Sequence, residues 1–161
     1  MVLADDNYAT IVAAVEEGRG IYDNIRKFIR YLLGCNVGEV LTMFCATLAG
    51  MPLPLLPMQI LWMNLVTDGL PAIALGLDRP APDCMTRPPR APRESIFSGG
   101  LHVKIVARGI IIAACTLFVF AFSLYGGVSE AYARTLAFTT LVVLQLIYVF
   151  QCRVAAGSGS R

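Results

Sequence analysis

Four long and mainly apolar segments dominate the sequence of this 161-residue chain. About 20 apolar residues in an α-helix suffice to cross the hydrocarbon core of a bilayer, which is about 30 Å thick. Hydrophobic residues make up 57% of the chain and charged residues only 15%, a balance that argues against a soluble globular protein. We therefore predict an all-α membrane protein with four transmembrane helices, at about residues 26–49, 58–77, 103–124 and 134–150.

The amino-terminal part differs from these spans. No signal peptide is visible, because residues 1–17 carry four acidic side chains instead of a basic start followed by an apolar block. We interpret residues 1–20 as a cytosolic connection with a helix capped near Thr10, whose end Gly18 and Gly20 loosen. From Ile21 an amphipathic pattern begins and then becomes wholly apolar, which predicts one long helix that starts as a cytosolic stalk and enters the bilayer.

The distribution of basic residues predicts the orientation. They cluster before the first span, in or beside the proline- and arginine-rich segment 78–100 and after the fourth span, whereas the other two short loops hold only Arg134. The positive-inside rule then places both chain ends and the loop 78–100 in the cytosol. In this interpretation residues 21–153 form one transmembrane transport region, and residues 154–161 form a flexible tail of the kind that cloning adds.

Two carboxylates, Glu39 and Asp68, fall inside the predicted spans, and each has polar neighbours. Asn36 precedes Glu39 by one helical turn on the first span. On the second span Asn64, Thr67 and Asp68 stand at positions i, i+3 and i+4, so their oxygens share one helix face. A buried and unpaired carboxylate is costly in a membrane, so both residues need a partner.

The expected depth of three polar residues in the membrane supports one common site. Counted from the nearest charged residue towards the membrane boundary, Glu39, Asp68 and Gln145 lie about 14, 15 and 12 Å along their helices. All three are therefore close to the middle of the hydrocarbon core. Gly69 and Pro71 are expected to weaken the helix just past Asp68 and to free backbone carbonyls as further oxygen donors.

The donor types predict the ion. Two carboxylates, three amide oxygens and one hydroxyl form a hard, all-oxygen set of the kind that Ca²⁺ accepts, whereas Mg²⁺ usually keeps its waters and soft metals prefer sulfur. The five cysteines are scattered singly, with no CxxC pair. The candidate metal ligands are Asn36, Glu39, Asn64, Thr67, Asp68 and Gln145.

Two other interpretations of these residues stay open. Asn, Thr and Gln side chains commonly hydrogen-bond between membrane helices, so each of the four neutral residues alone could be structural. The two carboxylates could instead bind protons and form a relay.

Two runs of residues resemble a known family. Residues 36–40 (NVGEV) and 61–72 (LWMNLVTDGLPA) are similar to the fifth and sixth transmembrane helices of P-type (type II) Ca²⁺-transporting ATPases of the sarcoplasmic-reticulum type. Residues 87–90 (RPPR) resemble that family's cytosolic loop between helices six and seven. The resemblance covers about residues 1–153, corresponds to helices five to eight, and is greatest to bacterial members in the short turn after Tyr125.

This resemblance implies a role for each candidate. Asn36, Glu39, Asn64, Thr67 and Asp68 match the family's Ca²⁺ ligands. Gln145 falls where two-site pumps carry a glutamate, which removes one negative charge.

The resemblance also implies partners. ATP and Mg²⁺ would act only in the parent enzyme, because this chain has no DKTGT motif and no nucleotide-binding domain, and alone it should not hydrolyse ATP. The implied partners are the lipid bilayer and the remaining helices and cytosolic domains of the pump. The net charge of +2 gives no reason to expect nucleic acid binding. The implied location is a bacterial cell membrane, with the first helix linking the phosphorylation domain to the ion site.

Two other classes of membrane protein provide rival functions. The four spans could form a self-contained small cation channel or proton-coupled carrier, which would need a complete pathway within this chain. They could also form a non-catalytic helical interaction module, in which Glu39 and Asp68 pair with residues on other helices.

Overall fold

The computed structural model describes residues 8–78, 85–86 and 100–157, with backbone alone for residues 155–157. Four helical segments in this part are long and apolar enough to cross a membrane, and the described residues contain no β-strand. The predicted fold class, all-α with four transmembrane helices, is confirmed. The elements are α1 (Tyr8–Leu48), α2 (Pro57–Trp62), a π-helical segment (Met63–Asp68), α3 (Gly69–Gly76), α4 (Leu101–Tyr125) and α5 (Glu130–Gly157).

Several predictions concern residues outside this described part. They are the start of the cytosolic connection (1–7), most of the proline- and arginine-rich loop (79–84 and 87–99) and the end of the flexible tail (158–161). The backbone of α5 is helical through Gly157.

The first helix is longer than predicted. α1 contains 41 residues and so extends about 60 Å, roughly twice the thickness of the hydrocarbon core. The predicted loosening at Gly18 and Gly20 is wrong, and Thr10 lies inside the helix instead of capping it. A glycine costs about 1 kcal/mol in a helix relative to alanine. That cost is too small to interrupt a long helix whose hydrogen bonds continue on both sides.

Two glycines end helices by adopting left-handed backbone conformations. Gly50 has φ 65° and follows α1, where the N–H groups of Gly50 and Met51 bond back to carbonyls of the last helical turn. Gly127 has φ 75° and ends α4 in the same way, with Val128 bonding back to Ser123. Both are Schellman motifs, which reverse the chain within a few residues. They begin the short connections that lead from α1 into the second span and from α4 into α5.

Glycines also bring the helices into close contact. A Cβ atom at Gly34 would lie 2.6 Å from the Tyr148 ring, and one at Gly109 would lie 2.4 Å from Cγ1 of Val37. A Cβ atom at Gly38 would lie 2.9 Å from Cγ2 of Ile112. Small residues are the usual means of close helix packing in membranes. α1 therefore packs directly against both α4 and α5 and occupies the centre of the bundle.

The second span, Pro57–Gly76, is attached to other helices just beyond its carboxyl-terminal end. Asn24 of α1 donates hydrogen bonds to the carbonyls of Gly76 and Asp78, at 3.3 and 2.5 Å. The Asp78 carboxylate lies 3.2 Å from Nζ of Lys27 and 3.6 Å from a guanidinium nitrogen of Arg153. We call the group formed by Asn24, Lys27, Asp78 and Arg153 the Asp78 junction. It connects three helices at one end of the bundle.

The opposite end of the span is also held. Arg134 of α5 donates from Nε to the carbonyl of Leu53, 2.9 Å away in the connection that leads into α2, and pairs with Glu130 on its own helix. Leu55 in the same connection is fully buried. α2 then begins at Pro57, where a proline is favourable, and the Gln59 side chain accepts a hydrogen bond from the Leu56 N–H.

Candidate cation site

The candidate residues of the second span lie on a stretch of widened helix. Met63–Asp68 is π-helical, and a regular α-helix resumes at Gly69. π-helical turns are rare and are frequently found at functional sites. The predicted weakening just past Asp68 is wrong in position, because the irregular turn includes and precedes Asp68. Pro71 lies in the first turn of α3, which directly continues the π-helical segment.

Glu39 is the centre of one group of contacts. Gln145 of α5 donates from Nε2 to Oε1 of Glu39 at 2.7 Å, and Asn64 donates from Nδ2 to Oε2 at 3.4 Å. Glu39 is 4% exposed and Gln145 is 0% exposed, so the first of these bonds is shielded from the surroundings. Three of the six predicted ligands, one from each of three spans, are thus in direct contact.

Asp68 has different neighbours. The Tyr31 hydroxyl of α1 lies 3.5 Å from Oδ1 of Asp68 and donates at 2.9 Å to the carbonyl of Thr67. The Cys35 thiol also faces this carboxylate. Asp68 is 1% exposed, and it lies within electrostatic range of Glu39. The site therefore brings two carboxylates together in the interior of the bundle.

Within the described part of the chain, neither carboxylate is paired with a lysine or arginine. Lys27 and Arg153 instead approach Asp78, and Arg134 pairs with Glu130. In the same part of the chain, the buried atoms Oδ2 of Asp68 and Oε1 of Gln145 have no hydrogen-bond partner. Buried charges are normally paired or coordinate metals. Two negative groups and unpartnered oxygens of this kind suit a cation.

The other two candidates differ in placement. Thr67 is 5% exposed and lies on the π-helical segment beside Asp68. Asn36 is exposed, and its amide donates to the carbonyl of Leu32 on the same helix at 2.9 Å. Glu39, Asn64 and Gln145 are thus in contact with one another through Glu39. Thr67 and Asp68 are buried in the same bundle, whereas Asn36 lies at its surface.

Sequence reasoning missed Tyr31 and Cys35 as members of this site. A signal for them was present, because Tyr31, Cys35 and Glu39 are spaced by four residues and so lie along one face of α1. Within the described residues no group of three or more His, Cys, Asp or Glu side chains could hold a metal ion. The described acidic residues of the candidate site are Glu39 and Asp68, and its other candidate ligands are neutral.

An open groove adjoins Glu39. It has a volume of about 410 Å³ and lies between α1 and the start of the second span. Apart from Glu39 and Thr47 its lining is apolar, formed by Val40, Met43, Phe44 and Ile60. Glu39 is thus the acidic group that this surface of the bundle presents at the groove.

Comparisons with known proteins agree with these features. A family model described as "Cation transporting ATPase, C-terminus" matches residues 52–160. Over 162 aligned residues the chain is 55% identical to a protein of Bacillus subtilis (strain 168) named calcium-transporting ATPase. The alignment covers 100% of this chain and 18% of that relative. The chain therefore spans less than a fifth of the relative's length.

Proposed function

The chain belongs to the family of cation-transporting ATPases, in the region that the family model describes as the C-terminus, and from this membership we propose that it is the cation-binding membrane part of an ATP-driven Ca²⁺ pump. Its ligands would be the carboxylates of Glu39 and Asp68, completed by oxygens of Asn36, Asn64, Thr67 and Gln145. The name of the Bacillus subtilis relative supports Ca²⁺ as the ion.

One observation carries this proposal. Glu39 and Asp68 are buried in the middle of the bundle with no lysine or arginine paired to them in the described part of the chain. Oδ2 of Asp68 and Oε1 of Gln145 are additional buried acceptors without donors. A hard divalent cation would neutralise the carboxylates and use these lone pairs, since Ca²⁺ takes six to eight oxygens in flexible geometry.

Binding would rearrange the contacts of two amide side chains. The Gln145 amide now donates its N–H to Glu39, and it would have to turn its Oε1 towards the ion in order to act as a ligand. Asn64 likewise donates to Glu39 and to the carbonyl of Ile60. The same amides would therefore hold the free carboxylate through their N–H groups and coordinate the ion through their oxygens.

The long first helix provides the coupling in this proposal. α1 carries Glu39 and extends about 60 Å, so one end lies far outside the hydrocarbon core. In the parent pump a movement at that end would displace Glu39 relative to Asp68 on the second span. The site would then alternate between tight and loose binding, as expected for a ligand-linked equilibrium between two conformations. ATP and Mg²⁺ would act in other domains of the parent.

The proposed partners follow from the surface. The exposed apolar side chains of all four spans suit lipid, and the groove beside Glu39 suits another apolar helix of the parent pump. In the proposed orientation both ends of the chain and the loop 78–100 face the cytosol of a bacterial cell.

The test is the substitution Asp68→Asn in the full-length pump. It removes the charge and keeps the size of the side chain, so we expect Ca²⁺-dependent phosphorylation from ATP to be lost. Glu130→Gln is the matched control, because Glu130 is an exposed carboxylate at the end of the bundle, and it should leave the Ca²⁺ dependence unchanged. Retained Ca²⁺-dependent phosphorylation in Asp68→Asn would refute the site.

The rival functions predict other results. Ca²⁺ flux through liposomes that contain the purified chain alone would favour a self-contained channel or carrier. Binding of ⁴⁵Ca²⁺ by the full-length pump that does not depend on Glu39 or Asp68 would favour the interaction module, in which these carboxylates serve only helix packing.

A further inference from the structure

Pro71 leaves one backbone carbonyl of the second span without its ordinary donor. In an α-helix the N–H of a residue bonds to the carbonyl four residues before it, and proline has no N–H. The carbonyl opposite Pro71 is that of Thr67, at the junction of the π-helical segment and α3. Thr67 is buried, so this carbonyl needs a partner from the protein.

Tyr31 supplies that partner. Its hydroxyl lies 2.9 Å from the Thr67 carbonyl oxygen and 3.5 Å from Oδ1 of the adjacent Asp68. The side chain is 0% exposed, and its ring packs against the Tyr148 ring with centroids 5.9 Å apart. The ring is thus fixed by packing, which directs the hydroxyl at the point where the helix changes its winding.

We propose that Tyr31 is a positioning residue for Asp68: its hydroxyl replaces the N–H that Pro71 lacks and so holds the π-helical segment and the Asp68 carboxylate in the geometry used for cation binding. This inference rests on the proposed function for its activity readout. In this role Tyr31 contacts no ion and acts through the backbone of the second span.

Loss of the Tyr31 hydroxyl would leave the Thr67 carbonyl with few alternatives. Without the hydroxyl, this buried acceptor would have no donor, and such groups are costly enough that the chain rearranges to avoid them. The wide turn would then rewind, and each residue of rewinding rotates the following side chain by about 100° around the helix axis. Asp68 directly follows Thr67 and would move away from Glu39.

The first test compares two tyrosines in the full-length pump. Tyr31→Phe removes the hydroxyl and keeps the ring. We expect the Ca²⁺ concentration for half-maximal phosphorylation to rise about tenfold, the effect of one hydrogen bond, with the maximal level retained. Tyr148→Phe is the matched control, because the Tyr148 hydroxyl donates to the carbonyl of Arg30 and the ring belongs to the same aromatic pair. It should shift that concentration by less than about twofold.

The second test is rescue. Pro71→Ala restores an N–H opposite the Thr67 carbonyl, so the double variant Tyr31→Phe/Pro71→Ala should recover most of the lost Ca²⁺ affinity. A merely structural role of the hydroxyl in packing would not respond to a change at residue 71. A double variant no better than Tyr31→Phe would overturn the proposal.

Hydrogen exchange gives a readout that is independent of pumping. In the full-length protein, the backbone amides of residues 63–70 and 72 should exchange faster in Tyr31→Phe. Their exchange should be unchanged in Tyr148→Phe and close to the original rate in the double variant. If the unsubstituted pump shows no Ca²⁺-dependent phosphorylation, the proposed function fails, and the exchange rates alone decide on Tyr31. If phosphorylation depends on Ca²⁺ but Tyr31→Phe changes neither readout, only the inference on Tyr31 fails.

Discussion

The Gln145 amide on α5 donates to the Glu39 carboxylate on α1 at 2.7 Å, with both side chains buried. This bond joins two spans at the depth of the candidate site and compensates part of the carboxylate's desolvation. It also makes residue 145 sensitive to charge, because any anion there would face Glu39 directly.

The substitution Gln145→Glu replaces a donor by a second carboxylate. We expect it to destabilise the Ca²⁺-free protein by about 2 kcal/mol, the loss of a buried hydrogen bond to a charged group. Added Ca²⁺ should offset this loss, because a cation between two carboxylates relieves their repulsion. Thermal unfolding in detergent, with and without Ca²⁺, measures both effects. Gln151→Glu, at an exposed position of the same helix, is the control and should show neither.

Gly109 determines how closely α1 and α4 approach. In Gly109→Ala the new Cβ would lie 2.4 Å from Cγ1 of Val37 and 3.1 Å from the backbone nitrogen of Gly38, so the helices must separate. We expect a loss of stability of about 2 kcal/mol from this overpacking. Gly18→Ala is the matched control, with no neighbouring atom within 4 Å of its Cβ, and should be neutral or slightly stabilising. Equal stability of the two variants would contradict the packing.

The Asp78 junction should contribute measurably to stability. Lys27 and Asp78 have side chains only 10% and 18% exposed, so Asp78→Asn is expected to cost about 1 kcal/mol, the upper end for a surface pair. Glu130→Gln breaks the more exposed pair with Arg134 and should cost less. The cost of Asp78→Asn should shrink as ionic strength rises. Unfolding at low and high salt tests this expectation, and a cost independent of salt would contradict it.

The orientation predicted from basic residues can be tested by labelling. In a cysteine-free background of the full-length protein, Ser129→Cys lies in the turn between α4 and α5 and Thr86→Cys lies in the arginine-rich loop. A membrane-impermeant maleimide added to intact cells should label Ser129→Cys alone. Inverted vesicles should give the opposite result, and labelling of Thr86→Cys in intact cells would reverse the topology.

The spans and the buried polar residues were predictable, because each depends on local composition. Long apolar runs specify the helices, and Glu39, Asp68 and Gln145 were recognisable as polar residues at mid-depth. The comparisons confirm the resemblance to bacterial P-type Ca²⁺ ATPases. The metal-ligand roles of the six candidate residues stay predictions.

Features that depend on contacts between helices were not predictable from the pattern. The π-helical turn precedes Gly69 because Tyr31, 36 residues earlier, provides the donor for the Thr67 carbonyl. The low helix propensities of Gly69 and Pro71 had predicted that the helix is irregular after Asp68. The direction of Asn36 is likewise set by its bond to Leu32 and by the packing of α1, neither of which spacing shows.

Attachment at both ends limits how the second span can change. Asn24 and Lys27 hold one end near Asp78, and Arg134 holds the connection at the other through the Leu53 carbonyl. These contacts oppose a lengthwise shift of the span against its neighbours. The π-helical turn contains more residues per turn than the rest, so rewinding it would rotate the residues around it while the ends stay in place. Motion of Asp68 would therefore be screw-like and local to the middle of the membrane.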